Sequence, residues 1–160
     1  MILEYRTVIV RKAEKEDAYF IGPRLRKADL IEMRSFHDED SDPSDLLAQG
    51  MELSGDDCWT LTLKDGTPVA MFGVTNCNEH FGAIWMMGTP QIKDIHREFL
   101  RHCKDWMPVL HQKYPLLGNV VYAKNDIHIK WLKFMGFQFI AKHKQLGNMD
   151  LPFYEFIHKQ

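Results

Sequence analysis

Glu79-His80 is the neighbouring pair in this chain best suited to moving a proton. A histidine titrates near neutrality, and a carboxylate beside it can orient the ring. Adjacent side chains often point apart, however, and a loop histidine is equally at home in solvent. Asn125 and His128 form a second polar stretch. Asn125 suits the start of a helix as a cap, while His128 reads either as an anion contact or as a packed imidazole. His96, His102 and His111 do not repeat the paired spacing of a zinc-binding helix, so no metal is expected. Cys58, Cys77 and Cys103 contain no Cys-x-x-Cys motif and cannot all pair with one another. That excludes a disulfide framework and favours a reducing compartment.

The elements that must position these residues follow from periodicity. Thr7–Arg11 is β-branched and short, which predicts a strand. Gly22-Pro23 divides the next helical stretch into two, roughly Lys15–Ile21 and Arg24–Ser35. His37–Asp45 carries five acidic residues in nine and reads as a solvated loop. Ser44 is placed to cap a short helix, Asp45–Met51. Alternation around Trp59, Leu61 and Leu63, the Asp65-Gly66 turn, and the apolar runs Val69–Val74 and Ala83–Met87 predict a three-strand meander. Glu79 and His80 fall in its second loop. Ile92, Ile95, Phe99, Cys103, Trp106 and Leu110 then recur at three- and four-residue intervals, marking a long amphipathic helix. Thr89 would cap it, with Pro90 at its first position. Pro108 is expected to kink or end it. Leu117–Tyr122, Asp126–Met135, Phe137–Ala141 and Phe153–His158 complete the order as strand, helix, strand and strand, with Lys142–Asp150 as a polar connection.

The chain has 160 residues, 45% of them apolar and 26% charged, which suits one domain over residues 1–160. Its longest apolar runs are far short of the ~20 residues that span a bilayer. Met1–Val10 carries Glu4 and Arg6 and lacks a signal-peptide core, so no membrane role is expected. The net charge of −2 hides an asymmetry. Residues 1–90 hold 9 basic and 16 acidic side chains, a balance of −7, while residues 91–160 hold 11 and 6, a balance of +5. A polyanion binder is usually more basic overall, so no nucleic-acid partner is expected.

The element order and several local residues resemble the GNAT (Gcn5-related N-acetyltransferase) family. Arg11-Lys-Ala13, Asp17-Ala18, Leu25-Arg26, Asp29 and Glu32 resemble its opening strand and first helices. Asn125-Asp-Ile-His-Ile-Lys-Trp-Leu-Lys-Phe-Met-Gly136-Phe137 resembles its late Asn-to-Gly-Phe segment. The resemblance implies an α+β (α/β/α) fold, with a mostly antiparallel mixed sheet and helices on both faces. Within that segment His128, Ile129, Leu132, Lys133 and Gly136 are similar to small GNAT-like proteins of short-tailed bacteriophages, of the internal virion protein A type. That narrower resemblance implies a host or virion protein as partner, and a place in the host cytoplasm or the virion.

For the chemistry, the resemblance implies acetyl-CoA as cofactor, lying along Met86, Met87, Gly88 and Thr89 and the start of the following helix. Gln91 and Lys93 would meet its phosphates, with Asn125 and His128 nearby. Helix N-termini bind anions through free N–H groups and the helix dipole. Active relatives supply a glycine-rich loop there, whereas this chain has only Gly88-Thr89 before Pro90. Active relatives also carry a tyrosine where this chain has Leu132. Two functions are therefore expected. One is a binding protein with a degenerate acyl-CoA site. The other is a divergent N-acetyltransferase using Glu79 and His80, with the acidic loop attracting a cationic acceptor.

Overall fold

In the computed structural model, which describes residues 2–160, eight strands form one sheet and five α-helices cover its two faces. The strands are β1 (Leu3–Glu4), β2 (Val8–Lys12), β3 (Cys58–Leu63), β4 (Pro68–Asn76), β5 (Phe81–Gly88), β6 (Leu116–Tyr122), β7 (Gln138–Leu146) and β8 (Leu151–Lys159). Helices α1 (Lys15–Ile21), α2 (Lys27–Phe36) and α3 (Pro43–Ser54) precede the meander, and α4 (Ile92–His111) and α5 (Asp126–Phe134) follow it. The sheet order is β1-β2-β3-β4-β5-β6-β8-β7. Every pairing is antiparallel except β5 with β6. This is the expected α+β arrangement.

The two faces have separate cores. Ile92, Ile95, Phe99, Cys103, Trp106 and Leu110 of α4 are all buried and pack with Trp131 and Leu132 of α5 on one face. On the other, Ala18, Ile21, Met33, Leu47 and Ala48 from α1–α3 pack with Cys58 and Met71. Among the described residues no helix is long and apolar enough to cross a membrane.

Several boundaries differ from expectation, each for a local reason. Helix α4 starts at Ile92 behind Gln91, so Thr89 is not its cap and Pro90 is not its first residue; the turn Thr89–Gln91 closes on itself through backbone bonds instead. Asp42, not Ser44, caps α3: its carboxylate accepts the Ser44 N–H at 2.8 Å and Pro43 takes the first helical position. Helix α4 runs through Pro108 to His111, with the proline on its exposed side. Strand β7 continues to Leu146 because its partner β8 is long enough to pair with it, through two bulges. The short edge strand β1 is added by pairing with β2.

The feature that positions the site is the join between β5 and β6. Only Phe81, Gly82 and Ala83 pair with Leu116, Leu117 and Gly118. Beyond that the two strands part. The Asn119 amide bridges the first step of the gap, donating to the Ile84 carbonyl at 3.0 Å and accepting the Val120 N–H at 2.8 Å.

Candidate functional site

The end of the strand edge, Gly88 and Thr89, is committed to internal hydrogen bonds. At its end the Gly88 N–H donates to Asp29 Oδ2 at 3.0 Å, and the Gly88 carbonyl accepts the Arg26 N–H at 2.8 Å. The Thr89 N–H is held by the Val69 carbonyl at 2.8 Å. The start of α4 tightens in the same way. Ile92, Lys93 and Asp94 donate their N–H groups back to Thr89, Pro90 and Gln91. Such three-residue bonds satisfy the donors that a helix start otherwise leaves free. Gln91 and Lys93 are exposed at this turn. The Thr89 hydroxyl is buried without a partner.

Across the mouth of the gap lies a polar network from α2 and the start of α5. Arg26, Asp29 and Glu32 lie at three-residue intervals, so one side of α2 presents all three. Arg26 Nη1 contacts both Asp29 oxygens at 3.1–3.2 Å, and its Nη2 donates to Asn125 Oδ1 at 3.1 Å. Asn125 Nδ2 sits among Glu32 Oε1 (2.8 Å), His128 Nδ1 (3.1 Å) and Asp29 Oδ1 (3.2 Å). The Tyr122 N–H, on the far edge of the gap, donates to Glu32 Oε1 at 3.0 Å. One carboxylate of α2 thus answers each separated strand. Asn125 occupies the N-cap position of α5, yet its side chain makes no capping bond and serves the network instead.

The same geometry bears on metal binding. Asp29, Glu32 and His128 each turn one ligand atom toward a common point, within 4.8 Å of one another. The Asn125 amide nitrogen fills that point, and the Arg26 guanidinium supplies a positive charge beside it. Arg26 Nη1 can only donate, and it lies 3.3 Å from His128 Nε2. Asn125 Nδ2, also a donor only, lies 3.1 Å from His128 Nδ1, so a neutral ring accepts from one of the two and not both. Burial depresses the His128 pKa, opposed by the charge of Asp29. Burial and then Asp29 push the Glu32 carboxyl up to about 8.

Behind the network, the gap opens into a cavity of ≈ 300 Å³ that reaches both faces of the sheet. Its presence explains an anomaly of burial. Ile84, Trp85, Met86 and Met87 lie on an interior strand, yet all four are only half-buried. Trp85 and Met87 border the α2–α3 side, and Met86 faces Phe99, Trp106 and Trp131 on the α4–α5 side. Glu32 and His128 belong to the wall.

The residues singled out from sequence are distributed unevenly around this site. Met86, Met87 and His128 line the cavity, Gly88 and Asn125 join the network, and Thr89, Gln91 and Lys93 lie at the adjoining turn. Glu79 and His80 are exposed in the loop before β5. That places them about 25 Å along the strand from Gly88, at ~3.3 Å per residue. Leu132 lines the cavity, while Tyr114 and Tyr122 are buried elsewhere. Arg26, Asp29 and Glu32 were visible only as part of a family resemblance. Their spacing was the one local signal that they share a face.

Among solved structures, the chain is similar to a GNAT-family acetyltransferase from Bacillus anthracis, with TM-score 0.71 and 12% identity over 99% of this chain and 98% of that one. It is also similar to a ribosomal-protein-S5-alanine acetyltransferase from Vibrio fischeri, with TM-score 0.68 and 17% identity over 99% and 96%. A spermidine N-acetyltransferase from Vibrio cholerae, solved with CoA and spermine, matches with TM-score 0.68 and 13% identity over 96% and 95%. The fold is therefore the GNAT fold. No protein-family model matches the sequence, and no curated protein matches it.

Proposed function

We propose that this chain is a GNAT-fold protein that acts by binding a protein partner rather than by moving an acetyl group. The observation that carries this reading is the occupied edge at the end of β5. Both the N–H and the carbonyl of Gly88 are bound by α2, and the first N–H groups of α4 are bound within their own turn. An acyl-CoA lying there would have to displace a buried ion pair and its hydrogen bonds, which costs several kcal/mol. A shared fold does not carry a shared activity. The partner surfaces are the acidic loop, where Asp38, Glu39, Asp40, Asp42 and Asp45 are all exposed, and the basic second half. Opposed charge of this kind steers association. The resemblance of Asn125–Phe137 to phage proteins supports a host or virion protein as that partner.

Thermal unfolding with and without about 1 mM acetyl-CoA tests this. The expected result is no shift. Binding with a Kd of about 10 μM would add roughly 2.7 kcal/mol, or about 5–10 °C, and would overturn the proposal.

One observation favours the second reading, a divergent N-acetyltransferase. The cavity passes through the sheet, and the Glu32 carboxyl on its wall is raised to about 8, which suits a general base near neutral pH. On that reading Glu32→Gln slows acetyl transfer by ~10²-fold or more, whereas Glu79→Gln and His80→Ala leave the rate unchanged. Acetyl transfer that survives Glu32→Gln at the full rate would remove this base assignment.

A further inference from the structure

A second recess lies at the other end of the sheet. It is an open groove of ≈ 540 Å³ between the last turns of α4, the α5–β7 turn and the end of β8. That size falls within the ~300–1,000 Å³ typical of ligand sites. His158 of β8 pairs with Leu117, and Leu117 with Gly82. The groove therefore sits beside the first residues of β5, about 20 Å along that strand from Gly88. Met107, Pro108, Phe134 and Met135 form its apolar walls. Its lysines are Lys104 from α4, whose Nζ lies 4.4 Å from the centre of the Phe134 ring, and Lys159 from β8. Among the described residues no carboxylate side chain lines it.

The groove also holds a histidine pair. His111 is buried, and its Nδ1 lies 2.8 Å from the Tyr114 carbonyl oxygen, which can only accept. Assigned from that contact, neutral His111 carries its proton on Nδ1. Its bare Nε2 then accepts from His158 Nδ1 at 2.7 Å. The second tautomer follows from the first: neutral His158 is protonated on Nδ1 and has a free lone pair on Nε2. That Nε2 has no hydrogen-bond partner among the described residues. It faces Gly136, where a Cβ would lie 3.4 Å away, so glycine leaves it uncovered.

The pair accepts one proton without losing its bond. Protonated at Nε2, His158 still donates from Nδ1 to His111 and gains a second donor. A further proton on His111 would set two N–H groups against each other. The charged and titratable groups around His158 are Lys104 and His111 from α4 and Lys159 from β8, and the α5–β7 turn adds none to the groove wall. Burial and then His111 hold the His158 pKa below its ordinary value. A cationic guest would meet like charge from both lysines, and a neutral guest would gain nothing from them.

We propose that this groove binds a small organic carboxylate, with its alkyl or aryl body against Phe134 and the methionines and its oxygens among Lys104, Lys159 and His158 Nε2. Binding draws one proton from water onto Nε2, which donates it in a hydrogen bond to a carboxylate oxygen. No bond within the histidine pair breaks. The site does not depend on whether acetyl-CoA or a protein partner also binds.

Benzoate and benzamide, matched in shape and different in charge, test this by calorimetric titration. Each is titrated at about pH 6.5 and 7.5, in two buffers of different ionisation enthalpy, so that the heat reports proton uptake. The expected result is saturable binding of benzoate with net uptake of a proton. Its affinity should be several-fold higher at the lower pH, toward the limit of about tenfold per pH unit for one linked proton. Benzamide should bind about tenfold or more weakly. His158→Gln abolishes the uptake and the pH dependence, and Lys104→Gln with Lys159→Gln weakens benzoate. The proposal is overturned by no saturable binding of benzoate, by benzamide binding as tightly, or by binding without proton uptake. It is equally overturned by undiminished uptake in folded His158→Gln, or by full affinity in the double lysine variant. The two-buffer comparison on the unsubstituted protein decides the question even where a variant does not fold.

Discussion

Glu32→Gln isolates the proton held at the mouth of the gap. Glutamine keeps the carbonyl oxygen that receives the Tyr122 N–H and Asn125 Nδ2, and resembles the protonated acid in charge and size. In the folded chain the Glu32 carboxyl is raised from 4.5 to about 8 by burial and by Asp29. A raised acid favours the folded state in its protonated form. Its contribution is complete below about pH 4.5, declines as pH rises, and is lost by the time pH passes about 8. At about 1.36 kcal/mol per pH unit that interval corresponds to roughly 5 kcal/mol. Contact with the cavity discounts this to roughly 2–4 kcal/mol. Other groups titrate in the same range. The depressed pKa values of His128 and His158 give stability that is present above about pH 6.5 and lost as pH falls. The difference between wild type and variant largely cancels them. Urea unfolding, followed by circular dichroism at about pH 5, 6.5 and 8, gives that difference. The two proteins should be within about 1 kcal/mol of each other at the lowest pH. The variant should lead by roughly 2–4 kcal/mol at the highest. A gap that does not change with pH would refute the reasoning that Glu32 is held protonated.

Asn125→Ala removes the side chain joining α2 to the start of α5, leaving Asp29 and Glu32 facing each other without their shared donor. A loss of about 3 kcal/mol or more is expected by urea titration, against about 1 kcal/mol for an ordinary exposed polar truncation. Burial pushes the Cys58 thiol up to about 12 and raises that of Cys103, while Cys77 is exposed. A thiol reagent at neutral pH should therefore label one cysteine of the three rapidly, identified as Cys77 by peptide mass. Asp42→Ala should cost about 1 kcal/mol by loss of the α3 cap, and a cost of zero would show that Pro43 alone sets the helix start.

The element order was legible because period and punctuation agreed. The six apolar positions of α4 and the Asp65-Gly66 turn reflect local packing, which is what periodicity records. Strand β3 alternates in residue type, yet Cys58 to Thr62 are buried on both of its faces. The ends were less legible. Lys142–Leu146 is polar and reads as a connection, but an edge strand paired on one side can stay polar along most of its length. The site was the least legible. Arg26, Asp29 and Glu32 on a helix are as common on a solvated face as in a core. Only the docking of α2 against Gly88 and Tyr122 decides between them. Asn125 has a residue type and a position that both indicate a cap, and its side chain is recruited by partners about 90 residues or more away in sequence. Glu79-His80 lies exposed in the loop at the far end of β5 from Gly88, a separation that no local pattern records.

The short seam between β5 and β6 also divides the chain by charge. Strands β1–β5 and helices α1–α3 fall within the residues balanced at −7, and α4, α5 and β6–β8 within those balanced at +5. Three backbone pairings therefore join an anionic half-sheet to a cationic one. A lysine–carboxylate ion pair crosses the same border, Lys113 with Asp57 at 2.6 Å. Long-range attraction assists the closing of such a seam and fades as ions screen it beyond about 10 Å at 0.1 M. The join should therefore loosen with added salt. Backbone amides along the seam should then exchange with deuterium faster in high salt than those within either half.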